Sequence, residues 1–306
     1  MRELQAEPLS PIDAATLWPQ MHRLGTEVIA TRAGENLLVS SGLAATGLTR
    51  LPRVPRTAVL GLKRGLGYRG VLVARELAGG AGWEVVSLRM AREKDDEAVT
   101  SLLSSIGVEV ARRGGRSLYL RYPEGSPHRD AIRKGGLMPY RLEQLHAIPA
   151  STAPAETIFR PARRRDRHGV FRLYCRVVPE HIRRQEAPTQ QDWRSVHDSY
   201  DCVREFVFEH EGAVAAWVGL GDRECRVLVD SSVEGLTDAA LHVVETHAPR
   251  HGTLVLGEDQ TTLEHEVAAR GYLALGVRVL CARRLALMNP LKEVVAVPAG
   301  SAVLPQ

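Results

Sequence analysis

Apolar and polar positions along this chain write the same series of elements twice. In the first half, residues 70–74 and 83–90 carry the apolar runs of buried strands, joined through Ala78-Gly79-Gly80-Ala81-Gly82, a flexible hairpin turn. Ala98, Val99, Leu102, Leu103, Ile106 and Val110 then fall at helical spacing, and Arg112-Arg113-Gly114 supplies the cations and glycine of a helix end. A strand over 117–122, a short helix over 127–134 and a closing strand over 141–148 follow. Near the start, Ser10-Pro11-Ile12-Asp13 reads as a capped helix start.

The second half keeps the order. Residues 206–208 and 213–220 form a hairpin through Glu209-His210-Glu211-Gly212, and 225–230 is the next strand. A helix across Leu236, Ala240, Val243 and His247 stops at Pro249, which cannot extend it. A strand at 253–256, a helix at 262–270 and a strand at 276–282 complete the series. Strands beginning at Ser117 and Thr253 are offset by 136 residues, with Gly136 and Gly271 in equivalent places. Solenoid repeats are shorter, so this period indicates a duplicated domain. Pro149-Ala150-Ser151-Thr152-Ala153-Pro154-Ala155 lacks large apolar side chains and reads as the linker. The expected organisation is an N-terminal domain over 1–150, a C-terminal domain over 157–287 and a tail over 288–306, of α/β class.

Composition changes this picture little. A 306-residue chain that is 44% hydrophobic and 25% charged has room for two cores. Its net charge of +4 rests on arginine, since Lys63, Lys94, Lys134 and Lys292 are the only lysines. Guanidinium matches phosphate geometry, which leaves anionic ligands open. Cys175, Cys202, Cys225 and Cys281 have no paired spacing and read as buried free thiols rather than metal ligands, so no metal is expected. No stretch approaches the ~20 apolar residues of a membrane helix. A protein of the reducing cytoplasm, without a membrane partner, is expected.

Hairpin, helix, strand, short helix, glycine, strand is the element order of the Gcn5-related N-acetyltransferase (GNAT) superfamily, and the chain resembles a tandem pair of such domains. Arg121-Tyr122-Pro123-Glu124-Gly125-Ser126-Pro127 through Gly136-Leu137 is similar to its fifth strand, fourth helix and glycine corner, and Gly271-Tyr272 repeats that corner. Phe159-Arg160-Pro161-Ala162 is similar to its opening strand. The resemblance implies two mixed, mostly antiparallel sheets with helices on both faces. It also implies acetyl-CoA as co-substrate, its pantetheine held between two splayed strands and its pyrophosphate on a glycine-rich turn at a helix start. The reaction implied is acetyl transfer to a primary amine of a small molecule or peptide.

The chain departs from the family pattern at the positions that carry chemistry. The first phosphate turn is Ala91-Arg92-Glu93-Lys94-Asp95-Asp96-Glu97, with no glycine and four carboxylates, and carboxylates at a helix N-terminus compete with a phosphate. The second is Asp230-Ser231-Ser232-Val233-Glu234-Gly235, with no cation. The family's proton-donating tyrosine is replaced by Ile132 and Val267. By the resemblance, the first domain is the acyl-CoA binder. Glu84 is its expected general base, the strand backbone with Ser87, Leu88 and Met90 its pantetheine track, Arg92 and Lys94 its pyrophosphate cations, and Ser126 a further cofactor contact. Asp230 and Glu258 are the carboxylate candidates of the second copy. The rival expectation is a catalytically inactive ligand-sensing or interaction scaffold.

Other signals have ordinary readings beside functional ones. Arg163-Arg164-Arg165-Asp166-Arg167-His168 is the densest basic run, but without interleaved aromatics it reads as a solvated face, and nucleic acid is disfavoured. Trp18, Trp83, Trp193 and Trp217 are expected as core or interface anchors. His181, Arg183, Arg184 and Glu186 form either a substrate wall or a surface helix.

Overall fold

The computed structural model describes residues 6–9, 24–30, 56–64, 67–149 and 157–285. The expected helix start at Ser10-Pro11, most of the linker, Trp18 and the tail lie outside them. In the first half, β1 (Glu7–Pro8), β2 (Thr26–Ala30), β3 (Thr57–Arg64), β4 (Gly67–Glu76) and β5 (Gly82–Met90) precede helix α1 (Asp96–Arg112). Strand β6 (Ser117–Pro123), α2 (Arg129–Lys134) and β7 (Met138–Ala147) follow. The second half contains β8 (Arg160–Pro161), a 3-10 turn (Arg164–Asp166), α3 (Arg167–Val177), α4 (Glu180–Glu186) and α5 (Gln190–Asp198). It continues with β9 (Cys202–His210), β10 (Ala213–Gly221), β11 (Glu224–Val229), α6 (Leu236–His247), β12 (Thr253–Gly257), α7 (Thr261–Ala269) and β13 (Leu273–Arg284).

Both halves contain the same four-strand pattern. Strands β3-β4-β5-β6 and β9-β10-β11-β12 each pair antiparallel, antiparallel, then parallel. The halves then share strands. Among the described residues the sheet runs β1-β3-β4-β5-β6-β13-β7-β12-β11-β10-β9-β8, with β2 attached to β5 off that path. The last strand of the second half, β13, therefore lies between β6 and β7, while β7 lies between β13 and β12. Each half is completed by a strand from the other. An internal repeat is blind to this exchange, because either copy of the closing strand satisfies the same pattern.

Side-chain alternation assigns the cores. Leu118, Leu120 and Tyr122 of β6, with Val279 and Cys281 of β13, meet the buried stripe of α1. Cys225, Val227, Leu254 and Leu256 pack with α6 and α7. The intervening positions, Tyr119, Trp217 and Ala282, face a third core built on α3, α4 and α5, so helices cover both faces of the sheet. Trp83, Trp193 and Trp217 are buried in these cores, as anchors.

Helix α1 starts where Asp95 accepts a hydrogen bond from the Ala98 amide at 3.3 Å, with Asp96 and Glu97 in its first turn and Arg112 in its last, all favourable to the helix dipole. Gly136 and Gly271 both take positive φ, +88° and +76°, immediately after their helices. That left-handed corner is what glycine supplies without steric cost.

Candidate functional site

The expected cofactor wedge begins as the sequence suggests. Strands β5 and β6 pair only at Gly82↔Ser117, Trp83↔Leu118 and Glu84↔Tyr119, and part beyond Glu84. The freed edge of β5 is held by the chain itself. Strand β2 pairs antiparallel with it, Thr26↔Met90, Glu27↔Arg89, Ile29↔Leu88 and Ala30↔Ser87. Val28 and Ile29 enter the same core as Leu88 and Met90. The sequence leads one to expect an open pantetheine track along Ser87, Leu88 and Met90. The structure has a protein strand on that track, with all three side chains buried.

The second wedge repeats the geometry. Strands β11 and β12 pair at Glu224↔Thr253, Cys225↔Leu254 and Arg226↔Val255, then part. Here a side chain spans the gap. Gln260 donates through Nε2 to the Val227 carbonyl at 2.7 Å and accepts through Oε1 from the Gly257 amide at 2.8 Å. These are backbone groups of the two separating strands, linked as an amide ligand would link them.

At the helix starts, where a pyrophosphate would lie, carboxylates already bind. Asp95, capping α1, accepts from Arg69 through both oxygens, through Nη2 at 2.6 Å and through Nε, and Arg69 also pairs with Glu97 at 3.0 Å. Burial opposes ionisation of Asp95, yet the bonds from Arg69 and the Ala98 amide outweigh it and lower its pKa. Asp96 meets the buried His128 Nδ1 at 2.9 Å. In the second half Asp230 accepts from the Ser232 amide and hydroxyl, at 3.1 and 2.7 Å, and pairs with Arg176 at 2.8 Å. Arg92 and Lys94 are exposed on the turn before α1. Ser126 is half-buried, and its hydroxyl accepts from the His128 amide at 3.3 Å. The first turn, without a glycine and crowded with carboxylates, does not fit a CoA pyrophosphate, whereas the second has one glycine, Gly235 at φ +71° ahead of α6, but no cation.

The expected base, Glu84, is 2% exposed and its two oxygens are engaged by guanidiniums: Oε2 by Arg75 Nε and Nη2 at 3.2 and 3.1 Å, Oε1 by Arg121 Nη1 at 2.5 Å. It holds Arg75 of β4 and Arg121 of β6 in place, and so ties β5 to β6 where the two begin to part. Glu258 is exposed and accepts from the Leu142 amide at 3.2 Å. Ile132 and Val267, which the resemblance aligns with the family's tyrosine, are fully buried.

What sequence reasoning missed is a buried ionic seam where the halves exchange strands. Glu143 of β7, 1% exposed, accepts from Arg226 of β11 at 2.5 and 3.2 Å and from Arg278 of β13 at 2.6 Å. Arg278 also forks onto Glu224 at 2.6 and 2.8 Å, and the Arg226 guanidinium lies 4.1 Å over the Tyr200 ring. Beside them, Arg141 donates to Asp259 at 2.8 Å. Glu186 of α4 accepts from Tyr174 at 2.9 Å and Tyr140 at 3.3 Å. Glu186 is thus a buried tie between α4 and the sheet, while its neighbour His181 is exposed. The available signal was charged residues inside otherwise apolar strand runs, which are buried only when paired.

No family model and no curated protein matches the sequence. Solved structures do. One is the tandem GNAT protein of the clavulanic acid biosynthesis pathway, solved without acetyl-CoA, at 15% identity and a TM-score of 0.50 over 93% of this chain and 99% of that one. Another is a GCN5-related N-acetyltransferase from Sphaerobacter thermophilus, at 14% identity and a TM-score of 0.51 over 93% and 96%. At these identities the likeness concerns architecture. With two partings of parallel strands, two glycine corners and an exchanged pair of closing strands, the chain has the fold of a tandem GCN5-related N-acetyltransferase.

Proposed function

We propose that this chain is a GNAT-fold binding scaffold whose two wedges are closed by its own residues, and that it does not transfer acyl groups from them. The observation that supports the reading is the pairing of β2 along Ser87–Met90, the edge a pantetheine would need. Gln260 across the second parting supports it independently. The resemblance aligns Ile132 and Val267, both fully buried, with the family's proton donor, and neither side chain can donate a proton. A Gln side chain or a strand satisfies the separated backbone groups that would otherwise be orphaned.

Acetyl transfer from acetyl-CoA to a primary amine is the second reading. It is favoured by one observation, that both strand pairs still part after three residues, as a cofactor wedge requires. The two readings separate in an assay for free CoA, with the full chain, acetyl-CoA and a panel of polyamine, aminoglycoside and N-terminal peptide amines. The scaffold reading expects thiol release at the rate without protein. Amine-dependent release that scales with protein concentration contradicts it.

A further inference from the structure

The arginine run read from the sequence as a solvated face borders a cavity of about 430 Å³ between the 3-10 turn, α3, α5 and β9. Arg163, Arg164 and Arg167 are on its lining, with Trp193, His197 and Glu205 among the other lining residues. The three arginines are exposed and form no ion pair among the described residues, whereas the adjacent Arg160 is committed to Asp166 and Glu209. The two carboxylates of the lining are already matched. Asp166 is bound by Arg160 through both oxygens, at 2.7 and 2.9 Å. Glu205 lies 3.2 Å from His197 Nε2 and accepts from Trp217 Nε1 at 2.7 Å. Burial opposes ionisation of Glu205, but His197 and Trp217 hold its pKa below the ordinary carboxylate range.

Charge therefore does not cancel in this cavity. Among the described residues the guanidiniums of Arg163, Arg164 and Arg167 form no ion pair, Arg167 adds only a longer-range attraction to Glu205, and the wall beside them is formed by the Trp193 and His197 rings, 4.8 Å apart. A guanidinium fork presents paired donors that match a phosphate or carboxylate bidentately. The volume suits a small metabolite. It does not suit a polymer, which would need a basic stripe extending beyond one cavity. From this geometry we infer that the cavity is a binding site for a small organic polyanion, a phosphorylated or polycarboxylate metabolite, held by Arg163, Arg164 and Arg167. The site is separate from both wedges, and it stands whichever reading of them holds.

The probes are inorganic pyrophosphate, glycerol 3-phosphate and citrate, titrated calorimetrically into the full chain at fixed ionic strength, with glycerol as the neutral control. Saturable one-to-one binding of at least one anion is expected, and the phosphate and citrate arms tell the two anion classes apart. Arg163→Ala and Arg167→Ala singly should weaken it by about tenfold each and together by about a hundredfold, with the circular dichroism spectrum unchanged. Ala162→Trp, which adds bulk to the lining without removing a charge, should also abolish binding. The inference is overturned if no anion saturates, or if R163A/R167A or A162W binds as the unaltered chain does. Acetyl-CoA is run in parallel. Binding that vanishes in R163A/R167A belongs to this cavity, and binding that survives belongs to a wedge and overturns the scaffold reading alone.

Discussion

Glu143 lies at the centre of the buried ionic seam, between Arg226 and Arg278. One carboxylate, almost wholly buried, serves two guanidiniums that come from different strands of the second half. Burial alone would raise its pKa, but Arg226 and Arg278 outweigh burial and hold it well below the usual glutamate value. Removing one partner from such a set leaves buried charge uncompensated, which typically costs ~3–5 kcal/mol. Glu143→Gln is therefore expected to lower the stability of the full chain by about that amount in urea denaturation, and a change under about 1 kcal/mol would contradict the role assigned to it. Residue-level reading of the sequence succeeded where a backbone rule was at stake: Gly136 and Gly271 occupy the positive-φ corners expected of them. It did not show the burial and pairing of Glu84 and did not single out Arg226 or Arg278, because a charged side chain on a strand looks the same in sequence whether it faces water or a buried partner.

At the scale of elements, hydrophobic periodicity reproduced the parts that bury one continuous face. The helix read from Ala98 to Val110 is α1, and the one read from Leu236 to His247 is α6. Strand β2 was invisible, since five residues, Thr26–Ala30, give too short an alternation to separate from loop and derive their order from the β5 edge they join. Gln260 was invisible for a different reason: its role depends on two strands parting, a tertiary fact. Its amide links Val227 and Gly257 across the parting. Truncation should leave a buried carbonyl and amide to find water, at ~1–3 kcal/mol. Gln260→Ala is expected to destabilise within that range and to raise hydrogen exchange at the Gly257 amide. Unchanged protection at Gly257 would mean that Gln260 does not close the second wedge.

For the whole molecule, exchange of β7 and β13 makes one sheet of two repeated patterns and places the ionic seam at its centre. The duplication and the α/β class were legible from the repeat, whereas the exchange was not, because the two closing strands carry equivalent patterns. The seam also sets the acid response. Burial resists ionisation of Glu224, but Arg278 and Arg226 lower its pKa from 4.5 to about 2, and Glu143 is depressed in the same direction. A depressed carboxylate contributes stability above its unfolded pKa and loses that contribution as pH falls through the folded one. The urea midpoint should thus fall between about pH 4.5 and 2, and Glu224→Gln should make that acid limb shallower. An acid limb identical in the variant would place the titrating groups elsewhere.

The scaffold reading rests on two wedges that the chain fills for itself. Equilibrium titration of acetyl-CoA into the full chain, followed by calorimetry and repeated with R163A/R167A to remove any contribution from the arginine cavity, tests that claim most directly. The account predicts no saturable heat up to millimolar ligand in that variant. A one-to-one isotherm with a micromolar dissociation constant, worth about −8 kcal/mol, would show that β2 or Gln260 yields to the cofactor and would contradict it.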